Sequence, residues 1–357
     1  MGVNGVLNIN KPEGITSFDV VAGIKRVAKV KKIGHAGTLD PEASGVLLIC
    51  LGQATKIVPF LMETTKEYRA TLRLGITTDT LDATGTVLER TERFDFSDEQ
   101  VREVMASFVG EIEQIPPMFS ALRHQGRRLY ELAREGVEVE RKPREIQIYH
   151  LTMHRYTPPN LTFDVSCSKG TYIRTLCADI GQKLGVGGHM SSLQRLRVGE
   201  MTIEQATPFE AIGRETISEI LAARLHSLDD VLKFLPVVQI ASEAEQKVYH
   251  GVPLSPRDVV KCPENFQKGD LFRGHDVNNR LLGIFEALTE KRGGEKEGER
   301  GGEKEGERGG EREGERGGER DGEKERGERE MFWFRPKRLL VDTPRSPIKG
   351  REEMIEL

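Results

Sequence analysis

Ile33-Gly34-His35-Ala36-Gly37-Thr38-Leu39-Asp40-Pro41-Glu42-Ala43-Ser44-Gly45 runs directly into Val46-Leu47-Leu48-Ile49-Cys50-Leu51. Glycines, a proline and small residues make a tight loop, and the apolar run 45–51 behind it has the length of a buried strand. The loop holds two acids, Asp40 and Glu42, and Asp40 is the one restrained by a following proline. Asp-Pro is also a common turn initiator, so the dipeptide alone favours a turn over catalysis. Upstream, residues 17–30 place Phe18, Val21, Ile24 and Val27 at helical spacing behind a Thr16/Ser17 cap, with Asp19 near the start. Lys25, Arg26, Lys29, Lys31 and Lys32 put five bases into eight positions there. A solvated helix face is the ordinary reading of such a run; a phosphate-contacting ridge beside the loop is the functional one.

Working outward, Tyr68-Arg69-Ala70-Thr71-Leu72-Arg73-Leu74 alternates as a strand and is closed by Gly75. Residues 97–109 and 129–135 read as helices, 146–151 and 161–169 as strands, 171–184 as a helix. The stretch 208–235 reads as mostly helical and joins two domains. Strands and helices do not alternate in strict βαβ order, so the pattern predicts an α+β fold.

Length and composition suit this organisation. The 357 residues exceed one average domain, and 37 % hydrophobic content with 31 % charge supports a real core. The net charge of −4 announces no global attraction to nucleic acid, so local stretches decide. The longest apolar run is far short of the roughly 20 residues a membrane span needs, and Met1-Gly2-Val3-Asn4-Gly5-Val6-Leu7 lacks a signal peptide's basic and apolar regions. A cytoplasmic location is the expectation. Cys50, Cys167, Cys177 and Cys262 form no CxxC pair, which argues against a zinc ribbon or a disulfide framework. His150 and His154 have the spacing of helical zinc ligands, but the stretch reads as a strand. No metal is expected.

From Gly293 to Arg316 the octapeptide Gly-Gly-Glu-Lys/Arg-Glu-Gly-Glu-Arg occurs three times in succession, followed by a degraded copy. The biased region 291–330 has no aliphatic or aromatic residue, so burial cannot offset the entropy of ordering it. It reads as a disordered insertion, close to neutral and a poor RNA tether. Before it, 273–285 looks like a hairpin with a turn at Asn278-Asn279. After it, Met331-Phe332-Trp333-Phe334-Arg335-Pro336-Lys337-Arg338-Leu339-Leu340 resumes strand composition. The simplest account is a small β domain, 236–342, whose last hairpin loop is enlarged, behind a first domain 1–235 and ahead of a tail 343–357. Enlarging a surface loop carries only a logarithmic entropic penalty.

Two further clusters carry candidate chemistry. In Cys167-Ser168-Lys169-Gly170-Thr171-Tyr172-Ile173-Arg174-Thr175-Leu176 a strand ends at a Lys-Gly turn and a helix begins, placing Arg174 in its first turn. A cation there opposes the helix dipole, so Arg174 is expected to answer to another partner, naturally a buried carboxylate. A surface arginine is the plainer alternative. The other cluster runs from Gln114 through Phe119 to Tyr130, and the stretch from Leu122 to Arg144 holds seven bases against four acids. Charge runs are usually solvated faces. This one contains Gly126 and an aromatic, as an adaptable RNA-gripping loop would.

Taken together, these residues resemble a known family. Gly34-His35-Ala36-Gly37-Thr38-Leu39-Asp40-Pro41 is similar to the signature loop of the TruB-type tRNA pseudouridine-55 synthases. Asn10-Lys11-Pro12-Glu13-Gly14, Lys66-Glu67-Tyr68, Gly170-Thr171-Tyr172-Ile173-Arg174-Thr175-Leu176 and Leu193-Gln194-Arg195-Leu196-Arg197 match its other motifs in order. The resemblance implies a pseudouridine synthase fold, a mixed and largely antiparallel sheet with flanking helices and a thumb insertion at about 119–145. A small PUA-like β-barrel would follow. It implies the T-loop of tRNA as substrate, with uridine 55 flipped out, no cofactor, no required protein partner and a monomeric enzyme. Asp40 falls on the family's nucleophile, Tyr68 on the tyrosine stacking against the target base, and Arg174 on the arginine pairing with the nucleophile. His35 matches a histidine meeting the disrupted loop, Leu196 a pocket-wall leucine, and Tyr172 and Lys11 active-site supports. Arg127 and Arg128 lie in the thumb-like segment as substrate contacts.

The chemistry fits that inventory. Pseudouridine formation breaks a glycosidic C–N bond, turns the base and forms a C–C bond with no net redox change. A carboxylate can act as the covalent nucleophile. It has to stay ionised while desolvated beneath a base, which a neighbouring guanidinium favours. Flipping costs a few kcal/mol, part of which an aromatic recovers by stacking. The alternatives are a guide-RNA-dependent synthase, a tRNA-folding chaperone with incidental catalysis, and a glycosidase. The last needs a second acid facing Asp40, for which Glu42 is the only candidate in the loop.

Overall fold

The computed structural model describes residues 3–92, 94–289 and 333–340. Two compact units divide at Phe234/Leu235. In the first, β1 (Gly5–Lys11), β2 (Ile33–His35), β3 (Ala43–Leu51) and β4 (Lys66–Leu74) precede a separate ribbon of β5 (Ile76–Thr78) and β6 (Val87–Arg90). Then come β7 (Gly110–Gln114), a two-residue hairpin of β8 (Arg123–His124) and β9 (Arg127–Arg128), β10 (Arg144–Thr157), β11 (Asn160–Cys167), β12 (Gly188–Val198), β13 (Met201–Thr202), β14 (Thr207–Pro208) and β15 (Leu225–His226). The main sheet has the order β14-β1-β3-β12-β4-β11-β10-β7, with β2 paired to β3, β13 to β12 and β15 to β1. All pairs are antiparallel except β1 with β14 and β12 with β3. This is the mixed, largely antiparallel sheet the sequence implied. His150 and His154 both lie on β10, as the strand reading required.

Helices α1 (Ser17–Ala28), α2 (Val58–Glu63), α3 (Asp98–Ala106), α4 (Leu129–Arg134), α5 (Ile173–Lys183), α6 (Ile217–Arg224) and α7 (Leu228–Val231) flank it. Val20, Val21 and Ile24 pin α1 on Leu7, Ile9, Leu47 and Ile49 of β1 and β3. Ile173, Leu176, Cys177 and Ile180 seat α5 on Ala70, Leu72, Phe163 and Val165 of β4 and β11. Alternation along β4 and β11 therefore sends Leu and Phe inward while Arg69, Thr71 and Thr162 stay half-buried. The expectation that 208–235 is mostly helical needs correction: a 3-10 turn at Phe209–Ala211, α6 and α7 are short, and β15 between the last two pairs with β1. Leu225 and His226 are drawn into extended pairing with Leu7 and Val6, which outweighs local helix preference.

The second unit carries α8 (Glu245–Tyr249) and a five-stranded sheet in the order β17 (Val259–Lys261), β16 (Val237–Ile240), β18 (Leu271–His275), β19 (Leu281–Ala287), β20 (Phe334–Leu339). Strands β18 and β19 form the expected hairpin, with Asn279 at φ 60 in its turn. Antiparallel pairing of Ala287 with Phe334 joins the segments on either side of the repeats. Trp333 packs edge-on to Phe266 and Phe334, Phe334 packs edge-on to Phe272, and Phe266 and Phe334 meet at a tilt, with centroid separations of 5.1–6.4 Å. The disordered insertion read at 291–330 and the tail 343–357 lie outside the described residues.

Candidate active site

Asp40 sits in the loop between β2 and β3, and its neighbours hold that loop from three sides. Thr16, not Ser17, caps α1: its hydroxyl accepts from Asp19 N, while Thr16 N donates to the Asp19 carboxylate. That leaves the Ser17 hydroxyl to receive Leu39 N at 2.9 Å and donate to Leu39 O at 3.0 Å, satisfying both backbone groups next to Asp40. Lys11, fully buried, donates to Pro12 O, Ile15 O and Pro41 O at 2.8, 2.7 and 3.1 Å. Burial lowers its pKa, and the charge of Asp40 opposes the shift. Arg195, 1 % exposed, braces the loop through Val46 O at 2.6 Å, Gly37 O at 3.0 Å and Thr38 O at 3.4 Å. Gly45 (φ 107) lies against the backbone of Arg195, where an added Cβ would come within 2.2 Å of a carbonyl oxygen, so only glycine permits this approach of β3 to β12.

Arg174 is the junction of the site. It stands in the first turn of α5, where no acid is present, and its side chain is 10 % exposed. Its Nη2 lies 3.2 Å from Asp40 Oδ2 and donates to Phe119 O at 2.8 Å. Its Nη1 donates to Asp82 Oδ2 at 3.1 Å and Thr80 O at 3.3 Å. The expected buried carboxylate exists, but it is Asp82 (14 % exposed); Asp40 is 43 % exposed and open to a ligand. Burial penalises the Asp82 carboxylate, yet hydrogen bonds from Thr84 and Thr80 and the Arg174 charge outweigh it and hold its pKa below the ordinary value.

The other expected residues surround Asp40 unequally. Tyr68 on β4 lies opposite Arg195 of β12 and packs, half-buried, against the cluster containing Leu39. Burial pushes its phenol up and Arg195 opposes this, with Asp40 close enough to contribute. Tyr172 forms the N-cap of α5, its backbone clamped by the Gln114 amide through bonds of 2.7 and 3.0 Å; burial raises its phenol too. His35 is held below its usual pKa by burial and by the Arg195 charge, with Gly37 opposing. Leu196 is the extra residue at the register shift between Arg195 and Arg197, where β12 opposes Tyr68 and Glu67. Arg127 and Arg128 are not brought to this cluster. They form the exposed hairpin strand β9, turned by Gln125 (φ 47) and Gly126 (φ 87). Arg127 pairs with Glu135, while Arg128 bonds the Tyr130 hydroxyl and, with Arg134, stacks on its ring at 5.7 and 5.5 Å.

Residues 25–173 match the profile of the TruB family pseudouridylate synthase N-terminal domain, and 174–233 that of the tRNA pseudouridylate synthase B C-terminal domain. The chain belongs to the TruB family of pseudouridylate synthases. Among relatives of the family, tRNA pseudouridine synthase B of Clostridium tetani is 52 % identical over 219 residues, covering 61 % of this chain and 76 % of that protein. The enzyme of the same name from Clostridium perfringens is 44 % identical over 283 residues, covering 79 % and 94 %. Among solved structures, an H/ACA RNP bound to a substrate RNA containing 2′-deoxyuridine superposes with a TM-score of 0.63 at 28 % identity, covering 80 % of this chain and 78 % of that one. The pseudouridine synthase fold and the isomerase class read from the sequence both hold.

Reading this TruB-family member from sequence missed Asp82, Arg195 and Gln114. Asp82 had a usable signal: Thr80-Leu81-Asp82-Ala83-Thr84 sets a hydroxyl two residues to either side of the acid, and both reach Oδ1. Arg195 shares strand parity with Leu193, so it occupies an inward position that a charged residue takes only with partners. Nothing local marks Gln114, whose contact spans 58 residues. Among the described residues, no group of three or more His, Cys, Asp or Glu has a metal-binding arrangement, and no helix is long and apolar enough to cross a membrane.

Proposed function

We propose that this chain isomerises uridine 55 in the T-loop of tRNA to pseudouridine, with Asp40 as nucleophile and no cofactor. The observation carrying this reading is the contact between a half-exposed Asp40 and a buried Arg174 whose other end is fixed by Asp82. The guanidinium stabilises the charged form of a carboxylate that has to remain ionised once a flipped base covers it. Tyr68, with its phenol raised by burial and so neutral near pH 7, presents an uncharged ring to that base. The C1′–N1 glycosidic bond breaks, the ribose or the base is held on Asp40, the ring turns, the C1′–C5 bond forms with release of the carboxylate, and the C5 proton is lost as N1 regains one. Lys11, Tyr172, Leu196 and His35 shape and support the pocket, and the segment 119–145, a thumb carrying Arg127 and Arg128, grips the RNA. The second unit serves as a PUA-like RNA-binding domain, and the enzyme acts as a cytoplasmic monomer without a protein partner.

A guide-RNA-dependent reading has one specific support, the likeness to a chain in an H/ACA RNP. The basic segment 119–145 and the higher identity to tRNA pseudouridine synthase B favour the stand-alone reading. One experiment separates them: incubate the purified chain with unmodified tRNA alone and map pseudouridine by position. Product at position 55 without added RNA or protein supports the proposal. Product only after a guide is supplied, or at another position, overturns it.

A further inference from the structure

The basic run after Phe18 lies on the exposed side of α1 and in the link to β2. Lys25, Arg26, Lys29, Lys31 and Lys32 are all exposed, and among the described residues none of their side chains has a hydrogen-bond or ion-pair partner. This contrasts with the thumb-like segment, where Arg127 is matched by Glu135 and Arg141 by Glu138. Phe18 heads the same face at 73 % exposure, the most exposed large apolar side chain described. Phe18, Ala22 and Lys25 fall at i, i+4 and i+7, a stripe about 10 Å long at 1.5 Å per residue, with only a methyl group between the ring and the first cation, and Lys29 follows as the left-handed C-cap.

The N-terminal end of this stripe is tied to the loop of Asp40 and the basic run beyond it leads away from that loop. At the N-terminal end, Ser17, next to Phe18, holds both backbone groups of Leu39. Beyond the other end, Lys32 O accepts from Gly52 N at 2.9 Å, which pins the link where β3 ends, away from Asp40. An exposed ring next to the serine that holds the Asp40 loop, followed by a line of unneutralised cations, is complementary to a stacked nucleotide followed by its phosphate backbone. An acidic protein surface would match the cations but would leave the ring without a planar partner.

We propose that Phe18, Lys25, Arg26, Lys29, Lys31 and Lys32 form a second RNA-contacting surface, on which the backbone flanking the target uridine runs away from Asp40. This deepens the reading of the preceding subsection and rests on it for the identity of the RNA. Each phosphate contact contributes about 0.7–0.9 to the slope of log affinity against log salt, so the five cations together account for about three and a half to four and a half units. Stacking of one base on Phe18 is worth at least about a fivefold change in Kd with little effect on that slope.

The test measures tRNA binding across a salt series, using the full chain carrying Asp40→Asn so that the RNA is not turned over. K25Q/R26Q/K29Q is expected to shallow the slope by about two to three units, and adding K31Q/K32Q to shallow it further. Glutamine keeps similar helix propensity, so folding is preserved, and thermal melting verifies it. F18A should weaken binding about fivefold or more at every salt concentration. R90Q/R102Q, exposed bases elsewhere, serves as the net-charge control and should leave the slope unaltered. Slopes equal to the parent's, or a loss reproduced by the control, overturn the proposal. An unaltered tRNA slope with lost binding to poly-glutamate would give the ridge to an acidic protein and likewise overturn it. The unsubstituted chain is assayed in parallel on the same tRNA. If it forms no pseudouridine while the slopes respond as expected, the reading of the reaction fails and the RNA surface stands.

Discussion

Replacing Arg174 by alanine removes one side chain from four acceptors, and the two ends of the guanidinium predict different losses. At the reactive end the partner is Asp40, 3.2 Å away and 43 % exposed. A charge-assisted contact is worth about 1.5–3 kcal/mol, and solvent screening at that exposure places this one near the lower end. The chemical step should slow by about 10- to 30-fold, at 1.4 kcal/mol per factor of ten. At the buried end, removing one member of an ion pair costs about 3–5 kcal/mol. Asp82 Oδ1 keeps its bonds from Thr80 Oγ1, Thr84 N and Thr84 Oγ1, so a stability loss of about 2–3 kcal/mol is expected. The pH dependence has a definite sign. The folded pKa of Asp82 lies below its ordinary 3.8, so its contribution is complete above that value and is lost as pH falls through the lowered one. Without Arg174 the burial penalty is less opposed and the pKa rises. The stability gap between the two proteins should therefore be full near neutrality and close as acid protonates Asp82, which then needs no cation. Single-turnover kinetics at saturating tRNA, and urea unfolding at about pH 7 and at about pH 3 or below, measure these effects. Arg174→Lys, keeping the charge but unable to span four acceptors, should fall between. An unchanged chemical step, or a stability gap that widens on acidification, would refute the reasoning.

Asp40→Asn should abolish turnover while keeping tRNA affinity within a few-fold, because the neutral amide is not a nucleophile; activity that persists after deamidation is excluded removes Asp40 from the mechanism. Replacing Arg127 and Arg128 by alanine should shallow the salt slope by up to about two units and raise KM with little change in single-turnover chemistry. The Glu135 pairing of Arg127 places the result toward the smaller end, and an unchanged slope with slowed chemistry would move these arginines to the reaction centre. Deleting 293–328 should leave the melting temperature and modification nearly intact, since Ala287 and Phe334 stay paired across the junction; a drop of several degrees would make the repeats part of the packed structure. Prolonged EDTA treatment should not lower the rate, and a loss restored by zinc would contradict cofactor-free chemistry.

What the sequence disclosed were features written in local pattern. The loop around Asp40 is legible because glycine, proline and an apolar strand occur together, and α5 because Lys169-Gly170 ends one element and starts the next. The conflict between Arg174 and the helix dipole foretold a carboxylate partner, and the structure supplies two of them. Asp40 followed from the resemblance, but the second partner went unread: Asp82 lies 92 residues from Arg174, and the threonine spacing around it signals a held carboxylate without naming its cation. Arg195 escaped for a related reason, because its partners are backbone carbonyls and any sequence offers those. Along 208–235 the helical reading gives way at Leu225 and His226, whose pairing with β1 is a long-range event that local propensity does not encode.

The place of β12 in the sheet bears on how the chain acquires its shape during synthesis. Strands β3 and β4 are close in sequence, yet they flank β12, whose residues 188–198 come more than a hundred positions later. A nascent chain carrying only the first 187 residues has the Asp40 loop but neither the central strand nor the arginine that braces it. Pairing β3 directly with β4 would be the tempting early error, because closing that short loop is entropically easier. At translation rates of about 5–20 residues per second, the interval before β12 emerges lasts on the order of ten seconds. A slot between two apolar strands must stay open through that interval, which makes the ribosome-bound precursor a natural client for cellular chaperones.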